Sequence, residues 1–338
     1  MTAKNGLRLG TTIYSFTNEY QARKYSLEEL IVKVGELGLG PGVELVGFSH
    51  VRGFPRVTDQ FAGWLRNLYA RYNLEPSCLA INADVQINRK RRMTDDECYD
   101  YHVVQLQAAA KLGYPVVRYQ FPAGTEVVRR LAPLAEKLNV KMGLEIHAPD
   151  SPHSQTVLAF REMYEKVQSP YLGFIPDFGS CATDVPLTFI EHFRHEGIVE
   201  KHIDIALTCW RMPGTREERM AEYIKRMKAA GASELDTRKM MSTFVMVSRM
   251  NPRDWLEIMP QVVHIHGKCY DFDKNNHEPA IPYEDILPVF VEGGYNGFMS
   301  TEWEGHAFSD EDGFAKVQAH HALCRQILDK ALSSRQHA

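Results

Sequence analysis

The sequence has no CxxC pair, no apolar run long enough to span a bilayer and no surplus of positive charge, and each absence removes a class of protein. Its six cysteines (Cys78, Cys98, Cys181, Cys209, Cys269 and Cys324) are scattered along the chain. That is unlike a small disulfide-stapled secreted scaffold and favours reduced thiols. Without about 18 consecutive apolar residues no segment reads as transmembrane, and the opening MTAKNGLRLGTTIY lacks the apolar stretch of a signal peptide. A cytoplasmic location, away from membranes, is expected. With 39 Lys+Arg against 43 Asp+Glu the net charge is -4, so no cationic field favours nucleic acid or an anionic membrane, and a small-molecule substrate is expected instead. At 44% hydrophobic and 24% charged over 338 residues, the composition is that of a globular chain.

Short apolar runs alternate with longer segments of helical period, the pattern of repeated βα units around a parallel sheet. Eight such runs stand out: Leu7–Tyr14, Gly42–Val46, Glu75–Ile81, Val116–Phe121, Lys141–Ile146, Leu172–Pro176, Val262–His266 and Gly297–Thr301. Eight units predict an α/β fold of the (β/α)8 barrel type. Helices are expected to start at two capping boxes, Ser26-Leu-Glu-Glu29 and Thr94-Asp-Asp-Glu97, and to end at Leu37-Gly38, Leu112-Gly113 and Gly293-Gly294. Residues 177–261 are far more than one crossover helix requires. They predict a helical insert at about 199–258, between strands 6 and 7, with a charged helix over Arg216–Ala230 and a Met-rich one over Arg238–Met250 near the C-terminal face. No linker divides the chain, so residues 1–338 read as a single barrel domain.

In such barrels the chemistry lies at the C-terminal ends of the strands. Four runs close on polar residues there: Gly-Leu-Glu145-Ile-His147, Phe-Ile-Pro-Asp177, His264-Ile-His266-Gly-Lys268 and Ser-Thr-Glu302-Trp-Glu304. Three carboxylates and an imidazole meeting at one mouth call for neutralisation, which a bound dication would supply. The alternative for any one of them is a satisfied surface or loop residue. Of the histidine pair, His266 lies nearer the C-terminal end and is the better candidate. Of the two glutamates, Glu302 is favoured, with Glu304 left as a neighbour of the centre or a substrate contact. Oxygen ligands with one imidazole suit Mn2+ or Mg2+, with Zn2+, Co2+ and Fe2+ as alternatives.

These residues resemble the sugar phosphate isomerase/epimerase-like barrels, the family of ketose epimerases, inosose dehydratases and relatives of xylose isomerase. Its marks here are Leu144-Glu145-Ile-His147, His264-x-His266-x-Lys268, Ile281-Pro-Tyr283 and Gly294-Tyr-Asn-Gly297-Phe-Met-Ser-Thr-Glu302-Trp-Glu304. The resemblance implies metal binding at Glu145, Asp177, His266 and Glu302. One departure is Ser180, which stands where ketose epimerases have a histidine three residues beyond the strand-six aspartate, and this points away from a plain ketose epimerase. With the length of the insert, the same motifs look like the α subunits of bacterial C-glycoside deglycosidases.

That likeness implies a 3-oxo-glycoside substrate, a divalent metal, Mn2+ first, and a small β subunit as partner. The metal would polarise the carbonyl, and a base would take the adjacent proton as the aglycone leaves. His147 is the expected base, having a near-neutral reference pKa, and Lys268 is expected to hold a substrate oxygen or the developing enolate. The plainer alternatives are that His147 bonds Glu145 or a loop carbonyl and that Lys268 pairs with Asp271 or Asp273. Arg118 could touch substrate or brace the carboxylates. Phe16, Phe48, Trp303 and Phe308 could line an aglycone pocket or simply pack. His50, His102, His153, His320 and His321 lack ligand context and are expected at the surface or in loops. A sugar or inositol isomerase, epimerase or dehydratase of the same family is the alternative activity. A non-catalytic sugar-binding barrel is the alternative of another class, and a nuclease of related barrels is disfavoured by the net charge.

Overall fold

The computed structural model describes residues 6–82 and 91–336. Eight parallel strands form one sheet: β1 (Arg8–Thr12), β2 (Gly42–Val46), β3 (Glu75–Ala80), β4 (Val116–Tyr119), β5 (Lys141–Ile146), β6 (Leu172–Pro176), β7 (Ile265–Cys269) and β8 (Phe298–Trp303). Pairing runs β6-β5-β4-β3-β2-β1-β8-β7, and the parallel bridges Phe174 to Val262 and Asp177 to His266 join β6 to the segment leading through β7. The result is a nearly closed barrel of the TIM type, with helices outside.

Both capping boxes are present. Ser26 and Glu29 close one around the start of Leu27–Glu36, and Thr94 and Glu97 the other around Asp95–Leu112. The latter helix ends at Gly113 with φ of 88°, a left-handed turn that glycine adopts without strain. Every residue of β2, β6, β7 and β8 is buried, as expected for strands covered on both faces. Closure brings backbones very near each other: a Cβ on Gly173 would stand 2.3 Å from the Gln261 carbonyl oxygen and 2.6 Å from Val263. Glycine is therefore required at that seam.

Strand seven departs from expectation. It covers Ile265–Cys269 rather than Val262–His266, because Val262 and Val263 make only isolated contacts with β6 while His266 to Cys269 pair fully with Ser300 to Trp303. Lys268 is thus a strand residue inside the barrel. Between β6 and β7 lie helices Leu187–His195, Glu200–Arg211, Arg216–Ala229 and Glu234–Met240, then 3-10 turns Met241–Phe244 and Pro252–Gln261. The Met-rich stretch is therefore no continuous helix. Its helical part stops at Met240, and Met250 donates its backbone N–H to Ser180 instead. Pro252–Gln261 packs on β6 and on the helix Tyr283–Glu292, which leaves the other helices in the connection that follows β6.

Four histidines expected at the surface or in loops are buried. His320 bonds Thr301 Oγ1 at 2.7 Å, His321 bonds the Gly10 carbonyl at 3.1 Å, His102 bonds the Cys98 carbonyl at 2.8 Å, and His50 accepts from the Val46 N–H at 3.1 Å. The six cysteines are buried and unpaired. No helix among the described residues is long and apolar enough to cross a membrane.

Candidate metal centre

Parallel strands leave all their C-terminal ends at one mouth, and alternation sends every second side chain inward. Glu145 is the penultimate residue of β5, Asp177 follows β6, His266 is second in β7 and Glu302 penultimate in β8. One ligand atom from each lies within 4.8 Å of the others. The Nδ1 of His266 is 2.8 Å from Glu145 Oε1 and 3.3 Å from Glu302 Oε2. Asp177 is fixed from behind, its Oδ1 accepting the Gly179 N–H at 2.7 Å.

The buried atoms Asp177 Oδ2 and Glu302 Oε2 have no hydrogen-bond partner, although each lies beside the Lys268 ammonium, at 3.2 and 3.0 Å. Unsatisfied buried carboxylate oxygens are costly. Two of them, a third carboxylate and an imidazole nitrogen directed at one place fit a divalent cation in both donor type and geometry. Charge agrees. Among the described residues here, the carboxylates Glu44, Glu145, Asp177, Glu302 and Glu304 meet the permanent cations Arg118 and Lys268, which leaves net negative charge for a dication to offset.

Each group's proton affinity reflects this crowding. Burial would raise the Glu145 carboxyl, yet Arg118, 3.6 Å away, and His266 hold it well below the usual carboxylate range. Glu302 goes the other way, raised by burial. Burial opposes the charge on Lys268, but Asp177, Glu302 and Glu304 more than compensate and keep the ammonium protonated. Glu304 bonds Lys268 with one oxygen and accepts from Tyr14 Oη at 3.1 Å with the other. Its carboxyl, pushed up by burial and down by Lys268, His147 and His306 together, falls to about 2.

Above the cluster opens a cavity of about 260 Å3, lined by Tyr14, Phe48, Arg118, Gln120, His147 and Lys268 together with Glu145, Glu302 and Glu304. His147 is half-buried on its wall. Its Nδ1–H donates to the Ala148 carbonyl at 2.6 Å, and since a carbonyl only accepts, the neutral ring keeps its lone pair on Nε2. That Nε2 is 3.9 Å from Asp177 Oδ2. Desolvation by the cavity wall lowers the pKa of His147, and the carboxylates of Asp177, Glu145 and Glu304 together outweigh it, so the net shift is upward.

No family model matches the chain. Individual proteins do. The chain is 40% identical over 334 residues to the C-glycoside deglycosidase alpha subunit of Arthrobacter globiformis, covering 98% of this chain and 95% of the relative. It is 38% identical over 340 residues to the 3'-dehydrocarminate deglycosidase alpha subunit of a Microbacterium species, covering 97% of each. The chain belongs to the C-glycoside deglycosidase alpha-subunit family. It is accordingly an enzyme. Its barrel is that of the xylose isomerase-like sugar epimerases: the structure of an L-ribulose 3-epimerase matches with a TM-score of 0.58 at 13% identity, over 98% of this chain and 97% of that one, a likeness of fold.

Within this family member, the strand-end residues singled out from sequence, Glu145, His147, Asp177, His266, Lys268, Glu302 and Glu304, do come together. Lys268 pairs with Asp177, Glu302 and Glu304 rather than with Asp271 or Asp273. Asp271 instead holds Lys316 at 2.5 Å, and Asp273 accepts backbone N–H groups within its own loop. His147 does bond a loop carbonyl, but through the nitrogen that faces away from the cavity. Arg118 braces Glu145 and also lines the cavity. Of the aromatics, Phe48 lines the cavity and is exposed, Phe16 and Trp303 are fully buried, and Phe308 packs on Phe189 at 4.1 Å beside a separate cleft. His264 lies below the mouth, bonded to Glu44 and Ser300 at 3.0 Å each. Sequence reasoning missed Glu44, Tyr14 and Gln120. The signal for Glu44 was available: a lone carboxylate in the middle of Gly42-Val-Glu-Leu-Val46, an otherwise apolar and wholly buried strand.

Proposed function

We propose that this chain is the catalytic subunit of a metal-dependent lyase that releases the aglycone from 3-oxo-glycosides, C-glycosides in particular. Glu145, Asp177, His266 and Glu302 hold one divalent cation, Mn2+ in first place, whose Lewis acidity stabilises negative charge on the oxygens of the oxidised sugar when it is bound. His147 takes the proton from the carbon between the carbonyl and the anomeric carbon. The electron pair of that C–H bond becomes a C=C bond as the bond to the aglycone breaks, and the aglycone leaves with the second pair and takes up a proton. Lys268 cannot serve as base, since its carboxylate neighbours keep it charged. It supplies fixed positive charge beside the oxygen where charge develops. Phe48 offers an aromatic face at the cavity mouth.

The observation that carries this proposal is the His147 lone pair on the wall of a cavity that Glu145 and Glu302 of the four-donor cluster also line. The deglycosidase names of the curated relatives support aglycone release as the outcome, and because they are named alpha subunits we propose a small second subunit as partner. Six buried, unpaired cysteines accord with a reducing compartment, for which we propose the cytoplasm. We take residues 199–258 as an insert within one barrel domain. The test is aglycone release from a 3-oxo-C-glucoside by chelator-treated protein, with and without Mn2+, alone and with any co-purifying subunit. His147→Gln is expected to keep its metal and lose at least about 100-fold in release. Undiminished release by that variant excludes His147 as the base, and interconversion of free sugar isomers without release would instead favour the isomerase or epimerase activity.

A further inference from the structure

Beneath the four-donor cluster lies a second buried layer that the proposed chemistry does not use. Glu44, 1% exposed on β2, reaches across the barrel and places Oε1 3.0 Å from His266 Nε2 and Oε2 3.0 Å from His264 Nε2. His264 Nε2 also stands 3.0 Å from Ser300 Oγ, and Ser300 is the register partner of His266 on β8. Cys78 completes a compact group with Glu44 and His264. A second metal there is disfavoured, because both Glu44 oxygens are engaged by ring nitrogens and burial holds the Cys78 thiol protonated.

We propose that Glu44 is a positioning residue that dictates which ring nitrogen His266 presents to the cation. This rests on the metal centre proposed above. A carboxylate only accepts hydrogen bonds, so both facing Nε2 atoms must carry the hydrogen. A neutral imidazole has one N–H, and the lone pair of His266 is thereby left on Nδ1. That is the nitrogen 2.8 Å from Glu145 Oε1 and 3.3 Å from Glu302 Oε2. Two carboxylate oxygens around Nδ1 call for positive charge there, either a proton bonded to Glu145 or the cation that displaces it, while the hydrogen on Nε2 stays with Glu44 in both cases. His264 holds the second oxygen of Glu44 and so prevents the carboxylate from turning. The pair of histidines two residues apart therefore divides its work: the upper ring offers a ligand atom and the lower ring fixes the carboxylate that orients it.

Glu44→Gln tests this at constant shape. The amide has one acceptor and one donor end, so it cannot accept from both Nε2–H groups, and one ring must change tautomer or lose its partner. Free Mn2+ measured by its paramagnetic resonance signal, without substrate, is expected to show binding about 10- to 100-fold weaker than wild type, and binding within about threefold of wild type overturns the proposal. A merely structural role would lower the melting temperature of the metal-free protein and leave that affinity unchanged. Should the variant fail to fold, the wild type decides. Zn2+-loaded protein with 15N-labelled histidine should contain one ring ligated through Nδ1 with its hydrogen on Nε2, and ligation through Nε2 of His266 overturns the proposal. If wild type binds no divalent ion, it is the metal centre itself that fails. If wild type binds and Glu44→Gln binds equally well, only the role of Glu44 fails.

Discussion

Replacing Lys268 by methionine keeps most of the side chain's volume and removes one charge from the centre of a buried carboxylate cluster. Its ammonium, 1% exposed, touches Asp177 at 3.2 Å, Glu302 at 3.0 Å and Glu304. Removing one partner of a buried ion pair leaves an uncompensated charge and costs about 3–5 kcal/mol. With an unfolding entropy of roughly 0.7 kcal/mol per kelvin for a chain of this length, that is a fall of about 4–7 °C in the melting temperature of metal-free protein. Saturating Mn2+ should narrow the gap, because the dication neutralises the same oxygens and no longer competes with the ammonium. The assay is differential scanning calorimetry of wild type and Lys268→Met after chelation, each repeated with Mn2+. A metal-free variant melting at or above wild type would refute the reasoning, since it would mean that these carboxylates never needed the lysine.

Two expectations concern pH, both measured on metal-free protein. His321 is buried with its pKa pushed down to about 4, one nitrogen bonded to the Gly10 carbonyl and Nδ1 without a partner. The unfolded chain binds that proton first, so the stabilisation is full above pH 6.5 and is lost as pH falls toward 4. It is worth at most about 3 kcal/mol, and an unchanged acid slope in His321→Gln would count against it. Glu278 is the reverse case. Burial pushes its carboxyl up to about 8 despite bonds from the backbone N–H groups of Ala280 and Ile281. Its contribution should be full below pH 4.5 and decline as pH rises to about 8, and Glu278→Gln should flatten that alkaline limb of the melting profile.

Much of the fold was legible because its signals are local. Six of the eight expected strand runs match or closely bracket observed strands, and the capping boxes at Ser26 and Thr94 need only neighbouring residues to be recognised. Strand seven slipped because apolarity was the guide. Val262 and Val263 look like strand, while Gly267 and Lys268 do not, until Asp177, Glu302 and Glu304 supply the lysine with buried partners. The same limit explains the histidines. His321 is buried because it meets the Gly10 carbonyl, 311 residues away in sequence, and no local pattern announces such a partner. The four-donor cluster was found because strand ends are a rule of the barrel. In the layer beneath it, Glu44 stands out as a lone carboxylate in an apolar run, but its link to His264 and Ser300 emerges only once β2, β7 and β8 face one another.

The most direct test of the central claim is a calorimetric titration of Mn2+ into chelator-treated wild type and into Glu302→Gln. The account predicts one site per chain in wild type and strong weakening in the variant, whose amide cannot replace the unsatisfied carboxylate oxygen between His266 and Lys268. No binding by wild type, or binding indifferent to Glu302, would contradict it.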